Sequence, residues 1–232
     1  MTGYTPPVPG RHNMYYAIHK TLRLGHARLI AQLTATDWQD PDETAAALTA
    51  LRGFLAMAAN HLNGEETFIH PALEAAEPGS SDTAHEGHDH HEQAFAELES
   101  LARAVETATG PARDTAGQRL YFRYALFAAE DIEHMAEEET HLLGAMHRLF
   151  GDDDLRAIEG RIIAKIDPAD MTRTMALMAP ALSTPELAGM LSEMRHAMPP
   201  EVFSGFLAAA VAPALPPVRF ARIEALLAPQ PA

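Results

Sequence analysis

Apolar residues recur at spacings of three and four along four segments within residues 1–150. This period is typical of amphipathic helices that bury one face. The stretches "TDWQDPDE", "EPGSSD" and "TGPARD" separate the segments and favour turns. We predict helices over about 13–33, over about 41–76, from about 82 onward, and over about 115–150. Long helices joined by short connections predict an all-α, up-down-up-down antiparallel four-helix bundle.

The start of the second helix carries its own pattern. Asp40 is a favourable N-cap, Pro41 suits the first helical position, and Glu43 completes a capping-box spacing. We therefore expect the chain to enter this helix at Asp40.

The pattern changes after "GDDD" at residues 151–154. Prolines recur in "DPADM", "STPELAG", "MPPEVF" and "LPPVRF", and each motif resembles the start of a short helix. We therefore predict an N-terminal tail over residues 1–10, a bundle over residues 11–150, and an extension of short amphipathic helices over residues 151–232. The extension is a candidate surface for a protein partner or for homo-oligomer formation.

Composition and charge narrow the possible partners and location. The formal charge of −15 argues against nucleic acid or an anionic membrane as a partner. The chain contains no cysteine, which excludes disulfides and thiolate metal sites and is typical of a reducing compartment. The first residues lack the apolar core of a signal peptide. The apolar run "FLAAAVAPAL" is too short to span a bilayer. We expect a cytoplasmic protein.

Histidines fall on the apolar stripes of all four predicted helices, and two of these helices also carry a carboxylate there. Two motifs, "HLNGE" and "HMAEE", place a histidine and a glutamate four residues apart, on one helix face. In "HEGHDHH", two of four histidines share the phase of the downstream apolar stripe, whereas His85 and His90 are expected to face solvent. The candidate metal ligands are His19, His61, Glu65, His88, His91, His134 and Glu138.

Burying five imidazoles and two carboxylates in an apolar core would be costly unless cations offset their desolvation. Nitrogen and oxygen ligands without sulfur suit iron, manganese or zinc. Carboxylates that can bridge two cations, together with several imidazoles, favour a pair of iron ions as the cofactor. Manganese and zinc remain alternatives.

Four stretches, "AIHKTLR", "NHLNGEETFIHPALE", "HDHHEQ" and "HMAEEE", resemble the hemerythrin-like (HHE cation-binding) family over about residues 12–150. The resemblance implies a non-haem di-iron protein that binds or senses O2, nitric oxide or peroxide. It implies one iron held by His19 and His61, the other by His88, His91 and His134, and bridges formed by Glu65 and Glu138.

Two spacings differ from those of the oxygen carriers. The histidines of the third helix are three apart rather than four, and Glu138 follows His134 by four rather than five. These differences favour sensing or peroxide chemistry over oxygen transport.

Several alternatives remain open from the sequence. His85 could replace His91 as the fifth imidazole, and His26, Tyr124 or Asp131 could orient a ligand. The histidine run could be a surface metal-scavenging tract, and "DIEH" is the nearest approach to a ferritin-like ligand pattern. The protein could instead be a di-iron enzyme with peroxidase or oxidase activity, or a bundle that metal only stabilises.

Overall fold

The computed structural model describes residues 8–228, and all regular secondary structure in that range is helical. The predicted all-α class is therefore confirmed. Most of the predicted N-terminal tail lies outside the described residues. The α-helices are α1 Tyr15–Ala35, α2 Pro41–Gly64, α3 His70–Ala76, α4 Asp82–Thr107, α5 Pro111–Glu137, α6 Leu143–Leu149, α7 Asp152–Lys165, α8 Pro168–Ala181, α9 Thr184–Ala197, α10 Pro200–Phe206 and α11 Pro217–Leu227.

Asp40 caps α2, as its position before a proline predicts. Its side chain accepts hydrogen bonds from the backbone amides of Asp42 at 2.8 Å and Glu43 at 3.0 Å. The Glu43 carboxylate accepts from the amide of Asp37 at 2.8 Å instead of reaching back to Asp40. The N-cap prediction is thus confirmed, while the Glu43 half of the capping box is redirected to the preceding turn.

The two helices predicted over about 41–76 and 115–150 each contain a π-helical segment. Glu65–Ile69 joins α2 to α3, and Glu138–Leu142 joins α5 to α6. Each segment closes through a hydrogen bond from the following residue to its first carbonyl: His70 to Glu65, and Leu143 to Glu138. Such segments are rare and concentrate at functional sites. Both begin at the glutamate of an H-x-x-x-E motif.

The described chain divides into two compact units. The first comprises Met1–Tyr15, of which residues 8–15 are described, and Gly25–Lys165. Part of its core lies among α3, α6 and α7, where Leu73, Met146 and Leu155 are fully buried. Leu155 and Ile158 of α7 belong to this core, and the unit continues to Lys165.

The second unit combines Tyr16–Leu24 of α1 with the described part of Ile166–Ala232. Its core includes the fully buried Leu187, Leu191 and Ile223. Lys20 binds the carboxylate of Glu186 at 2.7 Å, and Ser183 forms a capping box with Glu186 at the start of α9. Pro168, Pro185, Pro200 and Pro217 stand at helix starts, as the sequence predicts, whereas Pro180 lies inside α8.

Candidate metal centre

Each H-x-x-x-E motif brings its two side chains together at the start of a π-helical segment. Nε2 of His61 lies 3.5 Å from Oε1 of Glu65, and Nε2 of His134 lies 3.2 Å from Oε1 of Glu138. Glu65 and Glu138 are each 1% exposed. The four-residue spacing places both pairs on one helix face, as the sequence predicts.

His88 of α4 connects the two motifs. Its Nε2 lies 3.3 Å from Oε2 of Glu65 and 3.5 Å from Oε1 of Glu138. Glu65 thus directs one oxygen towards His61 and the other towards His88. The candidate ligand atoms form two groups. Within each group all atoms lie within 4.8 Å of one another, and the groups contain His61, Glu65 and Glu138, and His88, His134 and Glu138.

These contacts have the character of a cation site. Both carboxylate oxygens of Glu65, Nε2 of His88 and Nε2 of His134 are buried and make no hydrogen bond. Leaving such groups unsatisfied costs roughly 1–3 kcal/mol each, and more when they are charged. Imidazole nitrogens and carboxylate oxygens that converge on shared points suit iron, manganese or zinc. The residues present therefore fit metal cations.

Without metal, the centre retains protons. Burial, and then the charge of Glu138, raise the pKa of Glu65 well above its usual range. Burial lowers the pKa of His88, but the carboxylates of Glu138 and Glu65 outweigh it and raise the pKa to about 10. A cation that binds Nε2 of His88 must displace the proton of the imidazolium, so metal binding in this centre is coupled to proton release.

Glu66 lies outside the two groups and orients His88. Its Oε1 accepts a hydrogen bond from Nδ1 of His88 at 2.7 Å, which leaves Nε2 directed at Glu65 and Glu138. A carboxylate behind a ligand imidazole fixes the ring and raises its basicity. The H-x-x-x-E spacing does not select Glu66, so it was not among the ligands or supporting residues predicted from the sequence. The repeated "EET" in "EETFI" and "EETHL" is a sequence feature that could have drawn attention to it.

His91 is buried beside the two groups but belongs to neither. Its ring contacts those of His134 and Phe127, with centroids 4.8 Å and 5.6 Å away. Its Nδ1 lies 3.7 Å from Oδ1 of Asp131, and burial lowers its pKa to about 4. His91 is therefore a neutral imidazole placed next to His134, while His85 and His90 are exposed.

Asp131 also anchors His26. Its Oδ2 lies 2.6 Å from Nε2 of His26, whose Nδ1 lies 3.0 Å from the Tyr124 hydroxyl. Burial tends to raise the pKa of Asp131, but the hydrogen bond from His26 prevails and lowers it. An ionised carboxylate therefore lies between His26 and His91, and orienting an imidazole was one of the roles that the sequence left open for Asp131.

His19 is fully buried in α1, within the segment that groups with the second unit. It follows Tyr15 by four residues on the same helix face. Burial, and then the charges of Glu65 and Glu138, raise the pKa of Tyr15 well above its usual range. The role of His19 as a ligand remains a prediction.

A groove of about 490 Å³ lies between α4 and α5 and ends against His91 and His134. Carboxylates of Glu130, Glu133 and Glu137 border it. The groove therefore borders two of the candidate ligands, His91 and His134.

Gly87 permits the close approach of α4 to His134. A Cβ atom at Gly87 would lie 2.7 Å from Nδ1 of His134 and 2.9 Å from its Cε1. Gly87→Ala is expected to displace this ring. The metal affinity should then fall by at least about tenfold, which is the lower end of the losses that follow when a residue supporting a metal ligand is changed. Metal titration monitored by calorimetry measures the change.

The matched control is Gly53→Ala, since a Cβ atom there meets nothing within 4 Å. This change in an exposed part of α2 should leave metal affinity unaltered and stabilise the protein by about 0.5–1 kcal/mol. Equal metal affinity in both variants would show that the position of the His134 ring does not matter for binding.

Helical structure and a buried set of imidazoles and carboxylates define a metal-binding helical protein. The family model described as hemerythrin HHE cation binding domain matches residues 13–146, more than half of the chain. The chain therefore belongs to the hemerythrin HHE cation-binding family, and the resemblance inferred from its motifs is confirmed. Comparisons with curated proteins and with solved structures gave no match. Within residues 8–228, no helix has the length and apolar character needed to cross a membrane.

Proposed function

We propose that the centre holds two iron ions bridged by Glu65 and Glu138. His61 and His19 serve one iron, His88 and His134 serve the other, and His91 is the candidate fifth imidazole. The observation that carries this proposal is the position of Glu65, whose two oxygens face histidines of different groups. A carboxylate in that position is suited to bridge two cations. The proposed scaffold is the up-down-up-down bundle.

The proposed ligand is O2 or a chemically related small molecule, nitric oxide or peroxide. Two irons supply electrons for such molecules by changing oxidation state. The protein contributes an enclosed setting in which Phe127 and Tyr124 are fully buried beside His91 and His26. Excluding water in this way limits side reactions of bound ligands. The groove that ends at His134 supplies access.

The same groove favours a second function, a di-iron enzyme that turns over peroxide or uses O2 to oxidise a substrate. Such chemistry consumes protons, and Glu130, Glu133 and Glu137 line the route to His134 and His91. Carboxylic acids so placed are able to relay protons from solvent. A sensor that binds its ligand reversibly has no need of this proton supply.

Iron content and the reaction with air test the proposal. The iron-loaded full-length protein should contain about two irons per chain, as its ligand number requires. After reduction, mixing with air in a stopped-flow spectrometer should oxidise the centre rapidly, and purging with argon should not restore the reduced spectrum.

Two results would count against this proposal. An iron content that does not exceed that of a chelator-treated sample would contradict the metal assignment. A spectrum that reverts on purging and returns on re-aeration would contradict rapid oxidation and support reversible oxygen carriage. Repeated reduction of added peroxide by the same protein, with an excess of a chemical reductant supplying the electrons, would favour the enzyme.

A further inference from the structure

A separate group of ligand atoms lies beside the candidate centre, on the solvent side of His88. Glu66, His70 and His85 offer ligand atoms that lie within 4.8 Å of one another. Oε1 of Glu66 lies 2.9 Å from Nδ1 of His85 and 3.2 Å from Nδ1 of His70. Three different segments supply these side chains: the first π-helical segment, α3 and α4.

His70 is the feature of this group that points to a ligand. It is only 4% exposed, yet neither of its ring nitrogens makes a hydrogen bond, despite the short distance to Glu66. Its ring stacks on that of His88, with centroids 4.9 Å apart. Stacking fixes the ring plane but satisfies neither nitrogen. A buried imidazole in this condition costs free energy unless something binds it.

The exposure of the three side chains also decreases from the solvent towards the interior. The side chain of His85 is 58% exposed, that of Glu66 is 33% exposed and that of His70 is 5% exposed. A hydrated cation can therefore meet His85 first and exchange its waters for protein ligands. Burial lowers the pKa of His70, so its imidazole is neutral and able to coordinate at neutral pH.

We propose that Glu66, His70 and His85 bind a third divalent cation, distinct from the pair at Glu65 and Glu138. Two imidazoles and one carboxylate, with water in the remaining positions, suit Zn²⁺, Fe²⁺ or Co²⁺. Glu66 has enough lone pairs to hold the cation and still accept the hydrogen bond from His88.

The proposal is tested by titrating the metal-free full-length protein with Co²⁺ and counting equivalents by calorimetry and visible absorption. His85→Ala removes an exposed ligand without disturbing the core, so it should bind one equivalent less than the unaltered protein. His90→Ala, an exposed histidine on the same helix, is the matched control and should bind the same number as the unaltered protein.

A second variant excludes a purely surface effect. His70→Gln should also lose one equivalent, because the buried imidazole is a ligand in this proposal. If His85→Ala or His70→Gln binds as many equivalents as the unaltered protein, the third site does not exist. An equal loss in His85→Ala and His90→Ala would also overturn the proposal, because any exposed histidine would then have the same effect.

The number of Co²⁺ equivalents lost on His85→Ala can be measured separately from the fate of the proposed di-iron centre. In a Glu138→Ala background, where the pair of ions is expected to be lost, His85→Ala should still remove one equivalent. If His85→Ala still lowers the count by one equivalent in this background, the third site is supported whatever happens at Glu65 and Glu138. If it no longer lowers the count, the third site is not independent of the pair.

Discussion

Glu138→Ala is expected to remove both metal ions from the protein, whereas His61→Ala should remove only one. Glu138 belongs to both groups of candidate ligands, while His61 belongs to one. Removing the shared carboxylate takes a ligand and a negative charge from each cation, and the remaining buried imidazoles cannot supply that charge. Elemental analysis of purified full-length variants, relative to protein concentration, measures the loss.

In the metal-free protein, Glu138→Ala should weaken the dependence of stability on pH. Burial, and then repulsion from Glu138, raise the pKa of Glu65, and the Glu138 carboxylate also helps to raise the pKa of His88. A group whose folded pKa is raised binds more protons in the folded state, so the free energy of unfolding falls as the pH rises from its unfolded to its folded pKa. Removing Glu138 lessens both shifts. The urea midpoint of metal-free Glu138→Ala should therefore fall less between about pH 5 and pH 9 than that of metal-free unaltered protein.

Glu137→Ala is the control for both measurements, because Glu137 is the preceding residue and is exposed. It should retain both metals and the stability of the unaltered protein. If Glu137→Ala and Glu138→Ala retained the same metal content, the centre would lie elsewhere.

Asp131→Ala should reduce the free energy of unfolding by about 2–4 kcal/mol, even without metal. Asp131 is 3% exposed and holds Nε2 of His26 at 2.6 Å. The loss of its carboxylate leaves a fully buried imidazole nitrogen without its acceptor, and nothing replaces the packing of the side chain. Urea unfolding of metal-free protein measures the change.

Two further variants assign the cause of this effect. Asp131→Asn keeps an acceptor oxygen but loses the charge, so its cost should be smaller. The double variant His26→Leu with Asp131→Leu should lose less stability than the two single changes added together, because the unsatisfied partner is then absent. Ile132→Ala, at an exposed neighbouring position, should change stability by less than about 0.5 kcal/mol. Additive losses in the double variant would show that His26 and Asp131 do not stabilise each other.

The helical class and the two H-x-x-x-E pairs were accessible from the sequence because both depend on local periodicity. A helix of 3.6 residues per turn places residues four apart on one face whatever surrounds it. The contacts of His61 with Glu65 and of His134 with Glu138 follow from that spacing. The same argument predicted burial of His88 and His91 and exposure of His85 and His90, and the structure places them so.

The distances between different helices could not be predicted in this way. The position of His88 against Glu65 and Glu138 depends on how far α4 approaches α5, and Gly87 permits that approach. The π-helical segments were also missed, since the apolar period alone predicts an uninterrupted helix through Glu65 and through Glu138. The sequence "EET" occurs at the start of both π-helical segments, but no physical principle connects these three residues with a π-helical turn.

The sequence by itself determined the helical class, the family and the residue types of the candidate centre, because composition and period act within a single helix. The tertiary structure decided that Glu66 supports His88, that Asp131 lies between His26 and His91, and that α7 belongs with the first unit. Each of these depends on the rotation and spacing of helices far apart in the chain, which side-chain packing sets.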